Sequence, residues 1–238
     1  MRKSRTKKIL KRIVVAIGTV VVLCFFLLLP QFVSDTTAVT SFLANAIFSH
    51  NLHEVVPGKF YRSAQMPRDE LKEVIRTNKI KTVLDLTLSV DRPDDSGETE
   101  EQAANAAGAA YVNIPLNAGK DDQLPQIKVL LDAYSTAELP ILVHCSSGTH
   151  RAGLASAIWL LDQEKSDMAT ASEQLTMKYG FFQFERDLRA FIRRHYTLDR
   201  ILEHYEKDTE EYKVSFRKWL DIELSEFEQL EKAAKLSE

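Results

Sequence analysis

The chain has 238 residues, of which 45% are hydrophobic and 27% charged, with a formal net charge of −3. That length suits one sizeable domain with extensions, and the slight negative balance argues against general nucleic-acid binding. Of its two cysteines, Cys24 lies in an apolar run and Cys145 in a small-residue loop, so a structural disulfide between them is not expected.

Arg2, Lys3, Arg5, Lys7, Lys8, Lys11 and Arg12 crowd residues 1–12 with no acid among them. The uncharged run from Ile13 to Leu29 follows. It sits at the short end of the roughly 17–25 residues that cross a bilayer, and Ile9, Leu10 and the snorkelling stems of Lys11 and Arg12 lengthen it. Residues 13–30 are therefore expected to be a single transmembrane anchor. A cleaved signal peptide is the alternative, but no small-residue cleavage site follows closely. The basic flank is expected in the cytoplasm and the rest of the chain on the far side, which is the periplasm if the source is a Gram-negative bacterium. Residues 31–54 read as a linker or short helix, with Phe42, Leu43, Ala46 and Ile47 at helical spacing.

A domain over residues 55–197 comes next. Gly58 to Ser63 reads as an edge strand, Arg68 to Asn78 as a helix, and Lys81 to Leu88 as a central strand. Val90 to Glu98 is a turn-rich acidic loop. Thr99 to Ala107 is an alanine-rich helix ended by Gly108, Ala110 to Ile114 a strand, and Pro125 opens a helix to about Tyr134. Strands alternating with helices predict an α/β fold with a mainly parallel central sheet flanked by helices. Beyond Leu161 the pattern is helical: Asp167 to Tyr179, Glu185 to Tyr196 and Leu198 to Glu206. Residues 198–238 form a helical extension in which Phe216, Trp219, Leu220, Leu224, Phe227 and Leu230 make a stripe expected to pack on the domain.

The stretch that carries chemistry is Ile141-Leu142-Val143-His144-Cys145-Ser146-Ser147-Gly148-Thr149-His150-Arg151, followed by the apolar helix Ala152 to Leu161. A strand, a tight loop and a helix N-terminus together form an anion cradle of backbone amides. Here the amides of Ser146, Ser147, Gly148, Thr149, His150 and Arg151 would line it. The planar fork of Arg151 suits a phosphate, and the same positive field favours the thiolate of Cys145 as a nucleophile. Ligands of such sheets bind at the carboxyl ends of the strands, where Cys145 sits. His50 and His53 lack further ligands nearby, so no metal site is expected, and there is no Walker-type nucleotide loop.

His144-Cys145-x-x-Gly148-x-x-Arg151 resembles the signature of the protein tyrosine phosphatase superfamily, dual-specificity branch. Val56-Pro57-Gly58-Lys59-Phe60-Tyr61-Arg62-Ser63-Ala64-Gln65 is similar to the opening of its compact bacterial members. The resemblance runs from about Val56 to about Tyr196. It implies a phosphatase fold, a cysteinyl-phosphate intermediate, and neither metal nor cofactor. It also implies an Asp on a loop upstream of the cysteine as general acid. Asp121 is chosen over its neighbour Asp122, since Asp132 and Glu138 fall in or after a helix. His144 is expected to hydrogen-bond the loop and tune the thiol, and Arg62 to brace the site through a nearby carboxylate. The family usually has Ser or Thr after the arginine; Ala152 stands there instead, which puts the speed of the hydrolytic step in question. The expected substrate is a phosphorylated protein, phosphotyrosine first, because the loop carries no Lys and its neighbours Asp94, Asp95, Asp121 and Asp122 are acidic. A lipid or inositol phosphate is the alternative substrate. A rhodanese-like sulfurtransferase and a non-catalytic phosphate-binding module are the alternative functions.

Overall fold

A computed structural model of the chain describes residues 49–89, 91–117, 123–181, 202, 205 and 214–236. The expected anchor at 13–30, the helical stretch around Phe42, the helix at 185–196 and most of the one at 198–206 lie outside these residues. Among the described residues no helix is long and apolar enough to cross a membrane.

Five strands form one sheet in the order β1-β2-β5-β3-β4. They are β1 (His53–Val56), β2 (Phe60–Ala64), β3 (Thr82–Asp85), β4 (Ala110–Asn113) and β5 (Ile141–Cys145). β2, β5, β3 and β4 run parallel, and β1 is an antiparallel edge. The strand containing Phe60 was expected at the edge but is internal. The edge is β1, which begins inside the segment taken as a linker and whose half-exposed HEVV sequence lacks a clean alternation. The strand expected to be central, β3, lies beside the centre, which is β5.

Alternation across the strands sorts the core into two layers. Phe60, Leu84, Ile141 and Val143 face a layer built with α3 (Leu124–Thr136) and α4 (His150–Asp162). Tyr61, Val83 and Leu142 face the other layer, with Leu71 and Ile75 of α1 (Arg68–Asn78) and Ala103 and Ala104 of α2 (Glu100–Ala107). Thr99 starts α2 with a reciprocal capping box to Gln102, and Gly108 ends it at φ +91°. Every residue of α4 from Ala152 to Asp162 is buried, so this helix runs through the core. Its Trp159 stacks on Phe60 at 4.5 Å between centroids, with Tyr134 edge-on to both.

The segment expected as a helix from Asp167 to Tyr179 is broken into α5 (Met168–Ser172) and two 3₁₀ turns, Glu173–Leu175 and Met177–Tyr179. The break brings the carbonyl and side chain of Gln174 to Arg62. Of the expected C-terminal stripe, Phe216, Trp219 and Leu220 are buried and Leu224 partly so, while the side chains of Phe227 and Leu230 lie outside those described. α6 (Phe216–Leu236) buries Phe216, Trp219 and Leu220 against α3 and α4. Arg217 ties the three helices together through Leu131 O (2.9 Å), Ser135 Oγ (3.1 Å) and Asp162 Oδ2 (2.9 Å).

Trp219 is 3% exposed and edge-on to Tyr205. Trp219→Ala is expected to cost about 3–5 kcal/mol in urea denaturation. A loss below about 1 kcal/mol would mean that α6 is not part of the cooperative unit.

Candidate active site

Cys145 ends β5 and is 1% exposed. The loop after it turns at Gly148, which has φ +67°. A Cβ there would come within 2.5 Å of Ala64 N and 2.6 Å of Ser63 C, so only glycine allows the loop to lie this close to the end of β2. α4 then starts at His150.

The orientation of this loop is set from beneath by two side chains. Asn51 Nδ2 donates to Gly148 O (3.1 Å) and, more weakly, to Ser147 O (3.4 Å), and also to Tyr179 O (3.1 Å). Arg62 Nη2 donates to Gly148 O (2.8 Å) and Thr149 O (3.1 Å). In a trans peptide unit the carbonyl of one residue and the N–H of the next point in opposite directions. Drawing the carbonyls of Ser147, Gly148 and Thr149 toward Asn51 and Arg62 therefore turns the N–H groups of Gly148, Thr149 and His150 to the other side, as an anion cradle requires. Thr149 is the N-cap of α4, yet its hydroxyl caps no amide. It meets Ser147 Oγ (2.8 Å) and His150 Nδ1 (3.0 Å) instead. Arg151, half-buried, is tethered by Leu86 O (3.0 Å) and Ser146 Oγ (3.1 Å).

Arg62 was expected to use a carboxylate. It is fully buried on β2 and uses carbonyls, because alternation places it on the same face as Cys145, under the first turn of α4. Gly153 permits this: a Cβ there would stand 2.9 Å from Gln174 O and 3.2 Å from Arg62 Nη2. His144 also departs from expectation. As the neighbour of Cys145 on a strand it points to the opposite face, away from the loop. Its Nε2 lies 2.7 Å from Glu100 Oε1 and 3.8 Å from Asp85 Oδ1. Glu100 also accepts from Gln65 and Arg68, both at 2.9 Å. Burial pushes the Glu100 carboxyl up, but the hydrogen bond and charge of His144, then Gln65 and Arg68, hold it below its ordinary value. Asp121 and Asp122 lie outside the described residues.

Asp85, Glu100 and His144 bring ligand atoms within 4.8 Å of one another. The two carboxylates are already engaged, while His144 Nδ1 has no hydrogen-bond partner among the described residues. Asp85 accepts from Thr87 N, Thr87 Oγ1, Tyr111 OH and Asn113 Nδ2, while Glu100 has Gln65, Arg68 and His144. The group works as a hydrogen-bonded brace between α2, β3 and β5. Ala152, next to Arg151, is fully buried and offers no hydroxyl.

Sequence reasoning missed Asn51, Glu100 and Gln174. Asn51 sits at φ +52°, for which Asn is the commonest non-glycine choice, and this was its only sequence signal. Glu100 read as an ordinary first-turn acid of its helix. Nothing in the sequence marks Gln174.

His53 holds Asn51 Oδ1 at 2.8 Å and meets the Tyr179 ring edge-on at 4.8 Å. Burial, then the charges of Arg62 and Lys178, lowers its pKa from 6.5 to about 4. A depressed histidine favours the fold when neutral, so its contribution is complete above about pH 6.5 and lost as pH falls toward about 4. Urea midpoints measured at pH 7, 5.5 and 4 should fall over this window in the wild type and fall less in His53→Gln. Equal pH dependence in the two proteins would contradict this assignment.

Comparison with known proteins agrees with the site. Residues 56–166 match the family model described as the beta-lactamase hydrolase-like protein, phosphatase-like domain. The dual specificity protein phosphatase TpbA of Pseudomonas aeruginosa is 28% identical over 149 residues, which cover 61% of this chain and 62% of that protein. The chain thus matches under two thirds of that relative's length. Among solved structures, P. aeruginosa TpbA aligns at 23% identity and TM-score 0.44 over 61% of this chain and 84% of that one. The core catalytic domain of the PP-IP phosphatase SIW14 from S. cerevisiae, in complex with citrate, aligns at 20% identity and TM-score 0.43 over 66% of this chain and 93% of that one. Residues 56–166, which carry the His144-Cys145-x-x-Gly148-x-x-Arg151 loop, are thus similar to the phosphatase-like domain of the beta-lactamase hydrolase-like proteins and to a dual specificity protein phosphatase.

Proposed function

We propose that the chain is a cysteine-dependent hydrolase of phosphomonoesters, acting first on protein phosphotyrosine and also on phosphoserine and phosphothreonine. The observation that carries this reading is the buried Cys145 at the mouth of a loop whose Ser147, Gly148 and Thr149 carbonyls are drawn the other way. Phosphate lies on the amides of Ser146 to Arg151 and in the fork of Arg151. The Cys145 thiolate attacks phosphorus and the P–O ester bond breaks. Asp121, with Asp122 as the alternative, gives its proton to the leaving oxygen. Water then attacks phosphorus, the P–S bond breaks, the carboxylate takes the water's proton, and phosphate and thiolate are released. With Ala152 beside Arg151, no adjacent hydroxyl assists the departing thiolate in this second step.

The charge around the site supports a single phosphate rather than a polyphosphate. Among the described residues, three cations that could have served a polyphosphate are held by other groups. Lys59 pairs with Glu164 at 3.2 Å, Arg68 with Glu100 at 2.9 Å and Asp91 at 3.4 Å, and Arg62 lies under the loop. A cavity of about 360 Å³ near the C-terminal end of β3 is lined by Arg68 and Arg92 against three acids, Asp85, Asp91 and Glu100. The curated relative's name, a dual specificity protein phosphatase, supports a phosphoprotein substrate. With Cys145→Ser as the blank, kcat/KM should be highest on a phosphotyrosine peptide, ahead of a phosphatidylglycerophosphate-type lipid and an inositol polyphosphate. An inositol polyphosphate ahead by tenfold, about 1.4 kcal/mol of transition-state binding, would overturn this preference.

The uncharged run from Ile13 to Leu29 and its basic flank support a membrane anchor with a cytoplasmic N-terminus and the phosphatase domain on the far side. A reporter that works only outside the cytoplasm, fused after His53, is expected to be active. An active cytoplasmic reporter at the same point would reverse the topology, and a soluble shortened form would favour a cleaved signal.

A further inference from the structure

Arg62 is a buried cation, 0% exposed, and among the described residues no acid pairs with it and every acceptor it meets is neutral. Nη1 donates to Gln174 O (2.7 Å) and Gln174 Oε1 (3.0 Å), Nη2 donates to Gly148 O and Thr149 O, and Cζ lies 4.3 Å from the centre of the Tyr179 ring. Burial lowers its pKa to about 10, partly offset by Tyr179 and Cys145, so it remains charged at neutral pH. By contrast, Arg68 has Glu100 and Asp91, and Lys72 has Asp69 and Glu98.

A buried charge without a counter-ion costs several kcal/mol. Holding the loop does not require that charge, because the neutral amide of Asn51 already draws on the same Gly148 carbonyl. The uncompensated charge calls for an anion; of the two ionisable groups whose charge supports it, Tyr179 and Cys145, the cysteine belongs to the site. Arg62 and Cys145 share a face of adjacent strands, and the loop carbonyls that Arg62 holds belong to peptides whose next N–H groups face the cradle. Hydrogen bonds in such a chain polarise one another, so a cation on the carbonyl side strengthens the amide on the ligand side.

We propose that Arg62 is a positioning residue that acts through its charge: its buried guanidinium is compensated by the Cys145 thiolate in the free site and by the phosphate when one is bound. This rests on Cys145 being the nucleophile, but not on any particular substrate.

The test adds a counter-ion without removing the brace. Gln174→Glu keeps the shape and the acceptor 3.0 Å from Arg62 Nη1 and supplies a carboxylate there. Alkylation of Cys145 by iodoacetamide is followed against pH on the full chain. Mass spectrometry of the Cys145 peptide keeps Cys24 out of the reading. Inorganic phosphate is added in a second series to measure how well it protects Cys145. In Gln174→Glu the pH midpoint of alkylation should rise by about one unit, and protection by phosphate should weaken about tenfold. Arg62→Lys keeps the charge and loses the fork, so its midpoint should stay near that of the wild type while protection weakens. A Gln174→Glu midpoint within about 0.2 units of the wild type would reduce Arg62 to a structural brace and overturn the proposal. Because the readout is alkylation and not turnover, a chain that hydrolyses none of the tested esters leaves this test standing.

Discussion

The arrangement depends on one constraint: three consecutive carbonyls, those of Ser147, Gly148 and Thr149, must be held on one side so that the following amides are presented on the other. Backbone left to itself satisfies carbonyls with water or with its own amides. Here the partners come from far away in sequence, Asn51 before β1 and Arg62 in the middle of β2. Much of the surrounding fold serves to place these two. β2 runs beside β5 so that Arg62 reaches the start of α4. Gly148 and Gly153 remove the two Cβ atoms that would hold the layers apart. The 3₁₀ turns after α5 give Gln174 and Tyr179 to Arg62 in place of an ordinary helix.

The two faces of the sheet divide the work. On the Cys145 face, Arg62 and Asn51 act on the loop from beneath. On the opposite face, His144 closes a network with Glu100, Gln65 and Arg68 that ties β5 to α1 and α2. Adjacent residues of one strand therefore serve different layers, as the pleat requires. The acids of the second layer also absorb cations that would otherwise add charge near the mouth of the site, so a structural network bears on which ligands the site tolerates.

What was legible in the sequence follows from what is contiguous. The strand, loop and helix from Ile141 to Leu161 read correctly because all of that chemistry lies within one stretch. α1 and α2 read correctly because their apolar spacing and the Thr99 and Gly108 ends are local signals. The roles of Arg62 and His144 were misjudged because a side chain's partner depends on which face of which strand it occupies, and that is fixed only when β2, β5 and β3 come together. β1 was missed for the opposite reason: an edge strand with little burial carries almost no pattern. The break after Ser172 answers a demand made by Arg62, more than a hundred residues earlier, which no local propensity encodes.

The two helix ends near the carboxyl edge of the sheet are treated differently. The start of α2 is filled twice, by the Thr99 and Gln102 box and by Asp91, which accepts from the amides of Glu100 and Glu101 at 2.8 Å each. The start of α4 has a threonine whose hydroxyl turns away from the amides. A capped end is stable but closed to ligands; an uncapped end gives up some stability to remain receptive. That missing stability returns only when an anion arrives, because whatever binds the folded form alone draws the folding equilibrium toward it. Folding and occupancy are therefore linked at this one helix terminus: a solution rich in small oxyanions would preserve the fold as well as compete for the site.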